Sequence, residues 1–139
     1  MSEEKTNSVL ASEAALRRIR ELRAGLLRLH KALLDSERAA YKRVHGQVNA
    51  GELLQLVINH EQFAWLRPVS ELIVRIDEML DVEDATKEEA VALVSQARAL
   101  LKPSETGGEF ESRYYAAIQR EPEVVLAHRD VARLLLGDL

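Results

Sequence analysis

The chain contains no cysteine. Disulfides, thiolate zinc sites and cysteine nucleophiles are therefore excluded. It has only three prolines and six glycines in 139 residues, so little in it would interrupt a long helix. Aromatics make up 4% of the sequence, and they do not interleave with basic residues as a base-stacking surface requires. No stretch approaches the roughly 18 consecutive apolar residues of a membrane span. Residues 1–14 (MSEEKTNSVLASEA) lack the basic and apolar regions of a secretory signal. The expectation is a soluble, cytoplasmic protein.

What is present is a globular composition, 47% hydrophobic and 30% charged with a formal net charge of -4. The length suits one domain, residues 1–139, able to bury about two-thirds of its unfolded surface. Residues 1–8 are polar and expected to be flexible. From about Val9 to His45 the apolar residues recur at helical spacing, Ile19, Leu22, Leu26, Leu29 and Leu33. Gly46 should end this long first helix. Asn49-Ala50-Gly51-Glu52 has capping-box spacing and should start the next.

Residues 51–80 read as one second helix, bent where Pro68 removes an amide donor or begins a new helix. Asn59-His60 is a further candidate break. Thr86-Lys87-Glu88-Glu89 is another capping box, opening a helix to about Leu101. Residues 103–109 form a linker. After it come a short helix with Phe110, Tyr114, Ala117 and Ile118 inward, and a last helix opening at Pro122. No segment alternates as a strand would. The predicted fold is an all-α antiparallel bundle of about four to five helices.

Charge is uneven: residues 1–48 carry a net +4 and the remainder a net -8. An arginine-rich helix invites a nucleic-acid reading. If the chain turns back near residue 48, however, Arg17, Arg18 and Arg20 fall level with Asp77, Glu78 and Asp81. The basic stripe then faces the chain's own acids, and nucleic acid is set aside as a partner.

The histidines are His30, His45, His60 and His128, and no metalloprotease or di-iron motif accompanies them. The same register brings Glu37 level with His60, beside Glu61, and His128 falls on the apolar stripe of the last helix. One reading makes Glu37, His60, Glu61 and His128 a site for one divalent transition metal, mononuclear or ferritin-like. The other makes Glu37–His60 an interhelical hydrogen bond and His128 a satisfied, partly buried side chain. No serine elbow or phosphate loop occurs. Nothing carries a catalytic signature, and no cofactor is required.

The stretch Phe63-Ala64-Trp65-Leu66-Arg67-Pro68, continuing through Ser70-Glu71-Leu72-Ile73-Val74-Arg75-Ile76-Asp77, resembles a segment of a family of small uncharacterised helical bacterial proteins. With the preceding Leu/Arg-rich helix, the resemblance covers about the first 80 residues. It implies no activity. Trp65 either anchors the bend in the core or stacks a ligand. Arg67 either caps carbonyls there or contacts an anion at the new helix start. Residues 114–127 resemble one helical hairpin of a tetratricopeptide repeat, without the family's tryptophan and Leu-Gly positions and without a second copy; a solenoid is not expected. Leu27, Leu34, Tyr41 and Val48 form a second apolar stripe beside the Ile19–Leu33 one. One stripe can face the bundle and the other a homodimer mate or partner protein. The function these features favour is non-catalytic, acting by protein–protein interaction or self-association.

Overall fold

The computed structural model describes residues 9–59, 61–137 and 139, and among these it is all-helical, with seven helices and no strand. They are α1 (Glu13–His45), α2 (Ala50–Asn59), α3 (Glu61–Ala64), α4 (Arg67–Leu80), α5 (Lys87–Leu100), α6 (Glu109–Arg120) and α7 (Pro122–Leu134).

α1 begins four residues later than periodicity alone suggests. Ser12 is its N-cap, its hydroxyl accepting from the Ala15 amide at 3.0 Å. Before it, Ala11 donates to the Ala85 carbonyl at 3.0 Å and Lys87 donates to the Val9 carbonyl at 2.9 Å. This short extended pairing fastens the start of α1 to the start of α5. The 33 residues of α1 make a rod about 50 Å long. Gly46 stops it at φ 86°, a left-handed conformation that favours glycine, with its amide on the Lys42 carbonyl at 2.8 Å.

Over 51–80, where the sequence suggests one bent helix, the described residues form α2, α3 and α4, and the candidate break at His60 lies outside them. Asn49 caps α2: its Oδ1 accepts from the Glu52 amide at 2.8 Å and its Nδ2 donates to the Glu52 carboxylate. Pro68 lies in the first turn of α4, where its missing amide costs nothing. The proline thus starts a helix and does not kink one. Val69, Leu72, Ile73, Ile76 and Met79 are the buried face of α4. Thr86 and Glu89 form the expected capping box of α5. A single residue, Glu121, separates α6 from α7.

α1 is the spine. Its buried face, Ile19, Leu22, Leu26, Leu29 and Leu33, joins one contiguous core that extends through α4 and α5 to Phe110, Tyr114, Val124 and Val131. α7, α4, α5 and α3 all pack on α1. Gly25 shows why α7 comes so close. A Cβ at that position would stand 3.1 Å from Val131 Cγ2 and 3.3 Å from Leu134 Cδ1.

Candidate functional site

Two places on this frame carry unusual chemistry, a buried polar node with a groove beside it, and an uncovered apolar end. The node begins at Glu37 on α1, which is 8% exposed. Gln62 of α3 donates its side-chain amide to Glu37 Oε2 at 3.1 Å and reaches the Glu37 carbonyl at 3.3 Å. Arg120, the last residue of α6, donates to the hydroxyl of buried Ser36 at 2.9 Å. Its guanidinium also stands 3.8 Å from Glu37 Oε1 and from Glu121 Oε1. A buried carboxylate needs hydrogen-bond donors and a countercharge. Gln62 and Arg120 supply them and tie α3 and the α6–α7 corner to the spine.

Beside the node, α1 and α7 part to leave an open groove of about 490 Å³. Its α1 wall carries Ala32, Ser36 and Ala39, spaced on one helical face and too short to fill the gap. Leu126 and Ala127 of α7 complete the apolar floor. The rim is charged: Arg28, Lys31 and Asp35 on the α1 side, Glu121, Glu123 and Asp130 on the other. Lys31 and Asp35 pair with each other at 2.7 Å. Glu123 and Asp130 have no hydrogen bond or ion pair among the described residues.

The uncovered end consists of the last turns of α1 together with α2. The sequence of α2, AGELLQLVIN, is mostly apolar. None of its described side chains is buried, and Leu54 is 59% exposed. Val44 on α1 is 76% exposed.

Of the residues expected to hold a metal, Glu37 and His128 have partners within the fold. Glu37 is taken up by Gln62 and Arg120, and Glu61 is exposed. His128 Nδ1 shares a hydrogen bond with the Tyr114 hydroxyl, the end of an aromatic string running from Trp65 through Phe110 and Tyr114. Burial pushes the Tyr114 hydroxyl above its ordinary range and the His128 imidazole below its own. His60 lies outside the described residues. Among those described, no three His, Asp or Glu side chains are grouped to share a metal ion.

Trp65 is 3% exposed, with its ring centroid 5.7 Å from that of Phe110, as a core anchor would be. Arg67 is exposed on the first turn of α4, and no described residue bonds its side chain. The expected second stripe is not continuous. Leu27 is 41% exposed, Leu34 packs partly against the core, and Tyr41 lies against His45 and Phe63. Val48 is buried on the turn beyond the end of α1, its carbonyl accepting from Arg38 at 3.0 Å.

The arginines also differ from expectation. Arg23, not Arg17, Arg18 or Arg20, pairs with Asp77. Arg18 instead donates to the Leu134 and Leu136 carbonyls at 2.7 and 2.9 Å. Arg17 and Arg20 are exposed and meet no acid among the described residues. Arg120, Arg98 and Glu123 do not stand out in the sequence. Their roles arise from contacts between distant segments, for which no local pattern stands.

Protein-family models, curated proteins and solved structures were all compared with this chain, and none matches it. No helix among the described residues is long and apolar enough to cross a membrane.

Proposed function

We propose that this protein is a non-catalytic helical bundle that works through protein–protein contact, with a second copy of itself or with a partner protein. In this reading it is an antiparallel bundle on a long spine. The order of contacts supports that: Arg23 meets Asp77 while Glu37, further along α1, meets the earlier Gln62.

One observation carries the reading. α2 is an apolar helix whose described side chains all lie outside the core, and it follows in the chain on the likewise exposed Val44. Exposed apolar surface of this kind, in a folded protein, marks a contact site. The metal alternative has no comparable support, since Glu37 and His128 already have partners within the fold.

The test compares the parent protein with a Val44→Glu/Leu54→Glu variant. The parent should bind the dye ANS and give a light-scattering mass that rises with concentration. The double variant should lose the dye binding, and any association made through α2, while keeping its helical circular dichroism. A parent that is strictly monomeric, with dye binding equal to that of the variant, would overturn the reading.

A further inference from the structure

We propose that the α1–α7 groove is closed by a second copy of this chain, the two α1 helices crossing antiparallel about a two-fold axis at Ala39. This rests on the self-association reading above but assigns a different surface and a specific occupant.

The argument begins with the face of α1 that lines the groove. Ala32, Asp35, Ser36 and Ala39 lie on it, and helical periodicity continues the same face to Lys42 and Arg43. Both are exposed, and Arg43 Nε folds back toward the Ala39 carbonyl at 3.4 Å. No acid among the described residues pairs with either. Along one helix face, then, a groove whose mixed rim holds the unpaired acids Glu123 and Asp130 is followed within about one turn by two cations with no acidic partner among the described residues.

A surface that carries both halves of a contact side by side is suited to a two-fold interface, in which each patch meets the other's complement. With the axis at Ala39, antiparallel register sets Asp35 of one copy level with Arg43 of the other, and Ser36 with Lys42. Glu123, on the opposite rim and with no hydrogen bond or ion pair among the described residues, lines the groove that the second copy's Lys42 and Arg43 would enter. Ala39 is exposed and small, as a close crossing of two helices requires. Leu126, 45% exposed on the groove floor, adds apolar surface at the far end of the groove. A foreign basic helix would match the groove rim too. A second copy would in addition bring its own acids opposite Lys42 and Arg43.

The experiment uses sedimentation velocity on the full chain and on two exposed-site variants, Arg43→Glu and Glu123→Lys, each checked for retained helicity. The parent should form a dimer. Each variant alone places like charges together twice per dimer and should weaken association by about tenfold or more. An equimolar mixture should recover much of the lost association, the unaltered Asp35 opposite the introduced glutamate keeping it below the parent's. In the mixed dimer the acid introduced by Arg43→Glu faces the cation introduced by Glu123→Lys at one contact, while the unaltered Arg43 and Glu123 face each other at the other. A monomeric parent overturns the proposal. So does a parent dimer that both single variants leave intact, or a mixture that fails to recover. If the dimer withstands both charge reversals and is lost on Leu54→Glu, the self-association reading stands and the groove assignment falls.

Discussion

The Arg98 guanidinium donates to the Leu135 carbonyl through both Nε and Nη2, at 3.2 and 2.7 Å. It also reaches the Gly137 carbonyl at 3.2 Å, while Arg18 holds the Leu134 and Leu136 carbonyls. The last carbonyls of a helix have no intrahelical donors, and the helix dipole makes that end negative. Two arginines, from α5 and α1, thus cap the end of α7 from outside it. Hydrogen bonds from a charged donor contribute roughly 1.5–3 kcal/mol when buried. Arg98 is exposed, so Arg98→Ala should cost less, about 1–2 kcal/mol in urea unfolding. Amide exchange at residues 134–137 should accelerate more than exchange in α4. Equal acceleration in both would show that the arginine acts globally and not as a cap.

The node at Glu37 makes a sharper prediction. Arg120→Met leaves a buried carboxylate with Gln62 as its remaining side-chain donor. That should destabilise the protein by about 1–3 kcal/mol. Glu37→Gln in the Arg120→Met background should recover part of the loss, because no buried charge is then left uncompensated. A double-mutant cycle in urea measures the coupling. Strict additivity of the two substitutions would mean the 3.8 Å pair contributes nothing.

These two examples mark the boundary of what the sequence makes legible. The stripe from Ile19 to Leu33, the stop at Gly46, the Thr86–Glu89 box and the start at Pro122 are local, each settled by residues within a turn or two. The node and the caps are not local: Arg18 meets the Leu134 carbonyl across 116 positions and Arg120 meets Ser36 across 84. Among nineteen cations, nothing in the sequence selects those. The expected register of α1 against residues 49–80 also errs by about three residues, close to one turn. It assumes a tight hairpin at residue 48, whereas α2 and α3 intervene before α4. That shift gives Asp77 to Arg23 and puts Gln62 at Glu37. Of the candidate site residues, Glu37 does lie against the chain near residue 60, as its register suggests. The groove is not legible, because it depends on how α7 lies along α1.

Gly25 tests that packing directly. Its conversion to Ala gains about 1 kcal/mol of helix propensity. The new methyl would meet Val131 and Leu134 at 3.1 and 3.3 Å, so part of the gain is lost. Gly25→Ala should therefore change stability by less than about 1 kcal/mol. Gly25→Leu should cost about 1–3 kcal/mol or more by overpacking. Thermal unfolding of both variants distinguishes this from a merely flexible position, where the larger residue would also stabilise.

Trp65 carries a buried indole nitrogen with no hydrogen-bond partner among the described residues. Replacing it removes no hydrogen bond, only packing against Phe110 and its neighbours. Trp65→Phe should accordingly cost less than about 1.5 kcal/mol, and Trp65→Ala about 3–5 kcal/mol. Denaturant titration followed by circular dichroism measures both. A Phe variant as damaging as the Ala variant would show that the indole ring itself is indispensable at that site.

His30 and His128 should make the fold acid-sensitive. Burial lowers the pKa of both imidazoles below the ordinary value of 6.5. The unfolded chain therefore takes up protons at these two sites before the folded one does, and its proton uptake drains the native state. Their contribution is constant above about pH 7.5 and declines as pH falls through about 6.5 and below, down to the lower folded values. His128 is additionally tied to Tyr114, whose hydroxyl stays protonated throughout because burial raises its pKa. The melting temperature should fall between about pH 7.5 and 5, and a His30→Gln/His128→Gln variant should show a shallower fall over the same interval, though starting from a lower value. If the parent and the double variant fall in parallel, carboxylates and not these imidazoles govern the acid limb.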